Sequence, residues 1–195
     1  MIGTFLGRLQ FMARPSPTEA TAQHIEQARR STHLVLVGIG GHGGAGKSTL
    51  ATRVAQVVAD TQIVATDSFW NGSEFELGRL RTQVVDPLLG GDAATYDEWD
   101  WAQHRLGSSR TVAPSGVIII EGVCALHQMF RDDLDVRVWV DAPYETRLRR
   151  GVERDGEAAR STWVDVWMPN EDAYVRRDNP VECAQLVVDG TMPFG

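Results

Sequence analysis

At 195 residues with 43% hydrophobic content, the chain is long enough to bury a core and reads as one globular domain. A net charge of −7 and a pI near 5.2 exclude a nucleic-acid backbone as the main partner. Cys124 and Cys183 have neither metal-ligand spacing nor a disulfide framework, and no apolar run nears the ~20 residues of a membrane span, so a reducing, cytoplasmic setting without a membrane is expected.

Residues 1–30 read as an N-terminal extension with a leading helix, and 31–195 as the domain proper. MIGTFLGRLQFMARPSPTEA makes a poor signal peptide, because Arg8 interrupts its apolar part and no basic segment precedes it. Its lack of acids before Glu19 mildly resembles a transit peptide, but an irregular end, or an early start codon with Met12 the true beginning, is the favoured reading. SPTE then opens a helix, with Ser16 as N-cap, Pro17 at N1 and Glu19 completing a capping box, running to about Arg30. THLVLVGIG reads as a buried parallel strand, and KSTLATRVAQVVAD as a helix with Leu50, Val54 and Val57/Val58 on one face.

Between that strand and that helix, Gly41 to Ser48 matches G-x-x-x-x-G-K-[ST], the phosphate-binding loop pattern, in the context it requires. Lys47 is the only lysine among 19 basic residues, the rest being arginine. A compact ammonium on a thin stem threads to β- and γ-phosphates where a guanidinium is too broad. Loop N–H groups and the positive helix end cradle phosphates, and Ser48 offers its hydroxyl to Mg²⁺.

TQIVATDSFW is a second strand, ending at Asp67, and LGRLRTQVVDPLLGGD a helix stopped by Pro87 and the glycines. ATYDEWDWAQHRL and SSRTVAPSG read as an irregular or hairpin-like excursion. GVIIIEGVCAL is the most hydrophobic strand and is expected at the centre of the sheet, while DVRVWVDAP is a strand ending at Asp141. YETRLRRGVERDG is an arginine-rich helix, ARSTWVDVWMPNEDAYVRRDNP a longer helical region and AQLVVDG a last short strand. Strands alternating with helices imply a parallel α/β sheet with right-handed crossovers.

Parallel sheets deliver functional groups at the carboxyl ends of their strands, where Asp67, Glu121 and Asp141 fall. Asp67 is suited to take the proton of an attacking hydroxyl, and Glu121 to hold Mg²⁺ directly or through water. Asp141, beside Pro143, is expected to cap the next helix. Arg147, Arg150 and Arg154, at i, i+3 and i+7, form a stripe that can close over phosphates, or equally a solvated face paired with neighbouring acids. Tyr96, Asp97, Trp99, Asp100 and Trp101 can line an acceptor pocket or lie under the excursion as core, and the residues alone leave both open.

Taken together, GGHGGAGKST, TDSFW, VIIIEG, VDAPYETRLRRGVERD and AQLVVDG resemble the uridine kinase / phosphoribulokinase-like family of P-loop kinases over most of 38–190. The resemblance implies a three-layer P-loop fold with a mainly parallel five-stranded sheet between helices. It implies ATP and Mg²⁺ as cofactors, phosphate binding by Gly41, Gly43, Gly44, Ala45, Gly46, Lys47, Ser48 and Thr49 with Arg147, and metal binding by Ser48, Glu121 and Asp67. Asp67, Lys47, Arg150 and Arg154 would be catalytic, and Asp67, Tyr96, Asp97 and Arg150 would meet the acceptor, under a lid around 144–162. Two departures stand out: GDAATYDEWDW lacks the His-Pro of the uridine kinase acceptor motif, and Gly151 replaces the second of a pair of lid arginines.

These features imply an ATP-dependent kinase for an alcohol of a nucleoside or similar polar metabolite. The alternative is a regulatory nucleotide-binding module without transfer. A GTPase switch is excluded, since its guanine-reading N-K-x-D motif needs a second lysine.

Overall fold

The structure, a computed structural model, describes residues 15–30 and 33–195, so the readings of the first fourteen residues, Met12 included, lie outside the described residues. The first helix, α1 (Pro17–Arg29), starts as its sequence dictates: the Ser16 hydroxyl accepts from the Glu19 N–H, and the Glu19 carboxylate accepts from the Ser16 N–H. There follow β1 (Leu34–Gly40), α2 (Lys47–Val57), β2 (Thr61–Ala65), a 3₁₀ turn at Thr66–Phe69 and a helical run α3 (77–90). An antiparallel hairpin, β3 (Ala94–Asp100) and β4 (Arg105–Val112), precedes β5 (Gly116–Glu121) and β6 (Val136–Asp141). Then come α4 (Tyr144–Asp155), a second helical run α5 (160–178), α6 (Pro180–Cys183) and β7 (Leu186–Asp189).

Five strands form one parallel sheet in the order β2-β5-β1-β6-β7. Strand side chains alternate between faces, which divides the core in two. Val35, Val37, Ile39, Ile119, Val138 and Val140 pack with α1 and α2 through Ile25, Leu50 and Val54. Leu36, Ile118, Ile120 and Trp139 pack on the other face against Leu80, Val84, Leu126 and Phe130. Helices on both faces of the sheet make the three-layer α/β fold that the pattern implies. Fully buried residues such as Leu50 hold α2 down, and Leu50→Ala carries a cost of about 2–5 kcal/mol. The buried face of α2 is Leu50, Ala51, Val54 and Val58, while Val57 is exposed.

Three local expectations are corrected. The most hydrophobic strand, β5, lies inside the sheet, but β1 takes the middle. Pro87 does not stop α3; the helix runs through it to Gly90 and turns out at Gly91, φ +83°. The reason is the π turn Arg81–Val85 just before it: the Asp86 N–H reaches back to the Arg81 carbonyl, and the widened turn accommodates a residue with no N–H and a ring that would strike a regular helix. The same device recurs in α5, where the π turn Trp163–Trp167 precedes Pro169. Asp141 caps nothing: α4 starts at Pro143 with no side-chain cap.

Candidate nucleotide-binding site

Gly41 to Lys47 links the carboxyl end of β1 to the first turn of α2, so the loop's amides and the helix's positive end converge. Gly41, Gly44 and Gly46 have φ of +149°, +72° and +112°, which L side chains rarely adopt. Neighbours enforce the glycines as well. A Cβ on Gly41 would meet the Val140 carbonyl at 2.4 Å, one on Gly44 the Arg147 carbonyl at 2.4 Å, and one on Gly43 both Glu171 and the Trp163 indole within 2.8 Å. A Cβ on Gly46 would touch the Phe194 ring at 3.0 Å.

Lys47 is buried, and its Nζ donates to the His42 carbonyl at 2.9 Å, across the mouth of the loop. One residue on, the exposed Ser48 hydroxyl donates to Glu121, with both carboxylate oxygens at 3.1 Å. Glu121 ends β5, which sits beside β1 in register with Ile39, and this adjacency brings residues 73 apart in sequence together. Burial pushes the Glu121 carboxyl above its ordinary value and Asp67 pushes it further, while Lys47 and the Ser48 hydroxyl pull it back. Gly122 follows because any Cβ there would lie 1.8 Å from the Thr66 hydroxyl. Asp67 itself sits in the 3₁₀ turn, two residues beyond the end of β2, and is exposed.

Ser48 and Glu121 are thus in contact, Asp67 lies near enough to act on Glu121 electrostatically, and the three offer only oxygen donors. Among the described residues no group of three or more His, Cys, Asp or Glu is placed to hold a metal by itself. One or two carboxylates and a hydroxyl beside a phosphate loop fit a hard cation that completes its shell with water and substrate phosphates, as Mg²⁺ does.

The arginine stripe lies on one face of α4, but its members do different things. Arg147 is buried; its Nε donates to the Ala142 carbonyl at 3.1 Å and its Nη1 lies 3.8 Å from Glu171. Arg150 is not on the phosphate side of the loop. Its Nη1 donates to the carbonyls of Gly44 and Ala45, both at 3.3 Å, and its Nη2 to that of Gly190 at 3.0 Å. A P-loop turns its amides inward and its carbonyls outward, so this guanidinium braces the outer side of the loop here. Arg154 is exposed, forks onto Asp155 at 2.7 and 2.9 Å, and lies over the Trp163 ring.

The structure also separates Tyr96 from Asp97. Strand alternation sends Tyr96 into the core, against Phe69 at 5.0 Å, and leaves Asp97 exposed on the opposite face of the hairpin. Tyr96 therefore packs under the turn that carries Asp67 and does not share a pocket with Asp97. The open aromatic surface is instead Trp70 stacked on Trp101, centroids 6.2 Å apart, with Phe75 edge-on to Trp70.

Four residues at the loop escape sequence reading. Glu171 accepts from the Gly43 N–H at 2.9 Å, and Asp172 pairs with His42 Nε2 at 3.2 Å. The His42 ring is held below its usual pKa, chiefly by burial and next by the Arg147 charge. Trp163 covers Gly43 and donates its indole N–H to Asp155 at 2.9 Å. It also fills the space that Gly151 leaves, where a Cβ would be 2.4 Å from the indole. Burial pushes the Cys124 thiol up to about 12, in keeping with a packed, unreactive cysteine.

A family model described as an AAA domain matches residues 37–176. The chain is 30% identical over 139 residues to a uridine kinase of Halobacterium salinarum, covering 61% of each protein. It is 26% identical over 186 residues to uridine-cytidine kinase C of Dictyostelium discoideum, covering 83% of this chain and 40% of that one. The chain therefore spans less than two thirds of these relatives' lengths. A solved structure described as a "Possible Uridine Kinase" from Bacillus stearothermophilus shares the fold, with a TM-score of 0.63 at 19% identity over 86% of this chain and 98% of that one. These similarities bear out the resemblance to uridine kinase-like P-loop proteins. Among the described residues, no helix is long and apolar enough to cross a membrane.

Proposed function

The chain belongs to the AAA domain family, and from that premise we propose that it is a kinase transferring the terminal phosphoryl of Mg·ATP to a hydroxyl of a small polar metabolite. One observation carries this reading: the Ser48–Glu121 pair lies beside Lys47, with Asp67 exposed next to it. A pure binding module needs the loop and the lysine but has no use for a free carboxylate at the edge of the phosphate site. Ser48 and Glu121 would hold the metal, which would supply positive charge to offset that of the phosphates.

In this reading the domain is 31–195, and a lid around 144–162 covers the nucleotide. The amides of the loop from Gly43 to Thr49 hold the phosphates, and Lys47 leaves the His42 carbonyl to meet the β- and γ-phosphates. Ser48 and Glu121 hold the metal with Asp67 beside them. Asp67 accepts the acceptor's hydroxyl proton as its oxygen bonds to the γ-phosphorus and the bond to the β,γ-bridging oxygen breaks, giving ADP and a phosphate monoester. Arg147, whose Nη1 has no hydrogen-bond partner, is the lid cation open to phosphate charge; Arg154 must leave its fork on Asp155 to join it, and Arg150 stays a brace. The acceptor pocket is bounded by the turn carrying Asp67 and by Trp70, Phe75 and Trp101. Relatives named uridine kinases make nucleosides the first acceptors to try, while the missing His-Pro keeps sugars and other polar alcohols in the test.

The test is ADP release from the purified chain with Mg·ATP, alone and with nucleosides, sugars and pantothenate. Release that depends on one acceptor, and is lost in Asp67→Asn while ATP still binds, supports the reading. ATP binding without acceptor-dependent release from any of these compounds would count against transfer and favour a regulatory module.

A further inference from the structure

Glu171 stands where a phosphate oxygen is expected. A P-loop amide is a donor awaiting an anion, and the Gly43 N–H already has one, the Glu171 carboxylate at 2.9 Å. That carboxylate is nearly buried, with its side chain 11% exposed, and burial pushes its carboxyl above the usual range. Its compensation is thin. Arg147 Nη1 lies 3.8 Å away and makes no hydrogen bond, so the fork that would fix a permanent ion pair is missing.

The two ends of the helical segment Met168–Asp178 are held very differently. At its far end Asp178 is locked: its carboxylate takes Arg177 Nε at 2.6 Å and His127 Nε2 at 3.2 Å, and its carbonyl takes Arg131 Nη1 at 2.6 Å. At its near end Met168 is buried against Val152 and Trp163, but only Glu171 and the Asp172–His42 contact reach the loop, and the π turn Trp163–Trp167 with Pro169 gives the helix a place to yield.

We propose that Glu171 is a built-in competitor: without nucleotide it occupies the Gly43 amide in place of a phosphate oxygen, and a nucleotide whose phosphates reach Gly43 must displace it, moving the Met168 end of the helix off the loop. The proposal rests on the nucleotide-binding reading above. A single N–H does not serve two anions, and a carboxylate and a phosphate side by side in a half-buried site repel. The plug lowers apparent affinity by the fraction of molecules whose loop is open. Glu171→Gln keeps the shape and the acceptor oxygen while removing the charge.

The experiment uses the full chain, Mg²⁺ and a non-hydrolysable ATP analogue, with calorimetry on wild type and E171Q and hydrogen–deuterium exchange on wild type. E171Q should bind at least about fivefold tighter, within the usual range of coupling between two binding events. Amides of 168–174 should exchange faster once the analogue is bound. Equal or weaker binding by E171Q overturns the proposal. Exchange that is unchanged or slower also overturns it, because tighter binding would then reflect a fixed nearby charge. Should E171Q not fold, the wild-type exchange result decides alone. If neither protein binds the analogue, the nucleotide reading falls and takes this one with it; binding by wild type with no gain in E171Q sinks only the plug.

Discussion

The phosphate loop and the β3–β4 hairpin are built on opposite terms. Four loop glycines face a carbonyl, a carboxylate, an indole or a ring within 3.0 Å of where a Cβ would stand, from β6, α4, α5 and the C-terminal tail. The hairpin touches the body through one side: Tyr96 on Phe69, and Arg79, which lies over the Phe69 ring and donates to the carbonyls of Asp97 and Ser68. Nearly all of β4 is exposed. A segment enclosed on every side has one workable sequence, whereas a segment fixed along one edge leaves its other face free to vary. In the proposed kinase, the loop is where chemistry is held constant and the hairpin is where an acceptor is chosen.

Four substitutions test that contrast, from the largest effect to the smallest. Lys47→Arg in the enclosed loop should lower turnover by at least about 10²–10³-fold although charge is kept, since a buried slot shaped for an ammonium rejects a planar fork. Near-normal turnover in a steady-state assay would mean the slot is not selective. Gly151→Ala, which drives a methyl into the Trp163 indole, should destabilise by about 1–3 kcal/mol in a urea titration, with Gly43 losing its cover. An unchanged midpoint would show that the indole moves away freely.

Glu121→Gln separates chemistry from stability. Burial raises the Glu121 carboxyl above its ordinary 4.5, so the folded protein holds that proton more tightly than the unfolded chain does. Its contribution to stability is therefore fully present below the ordinary value and is lost as pH rises through the raised one. At neutral pH the glutamine variant should melt higher while losing metal-dependent activity, and the gap in Tm should close towards pH 4. A variant that melts lower at pH 7 would show that the ionised carboxylate is a net stabiliser. Trp101→Ala on the half-exposed hairpin stack should change stability by no more than about 0.5 kcal/mol while raising KM for the acceptor and sparing KM for ATP. A shift in the ATP constant instead would place the stack at the donor site.

The same contrast decides what was legible in the sequence. Strand–loop–helix chemistry is local: the capping box at Ser16, the glycines before Lys47 and the apolar run before Glu121 each announce themselves within ten residues. Ser48 and Glu121 were legible together because a parallel sheet delivers strand ends to one edge. Glu171 and Asp172 were not, since nothing in MPNEDAY points to a loop 128 residues away. The contact of Arg150 with loop carbonyls was not legible either, because a stripe at i, i+3 and i+7 fixes which face a side chain takes but not whether a loop offers it amides or carbonyls. Tyr96 and Asp97, adjacent in sequence, could not share a pocket once their segment became a strand with two faces. Pro87 misled for a related reason: the widened turn that tolerates it has no sequence signature of its own.

The fit of Trp163 into the hollow at Gly151 ties the two positions into one unit. A side chain at 151 would meet the indole, and a smaller residue at 163 would leave an empty hollow and an uncovered Gly43. Each position therefore sets what the other can accept, and enlarging 151 needs a compensating change at 163 before the loop regains its cover.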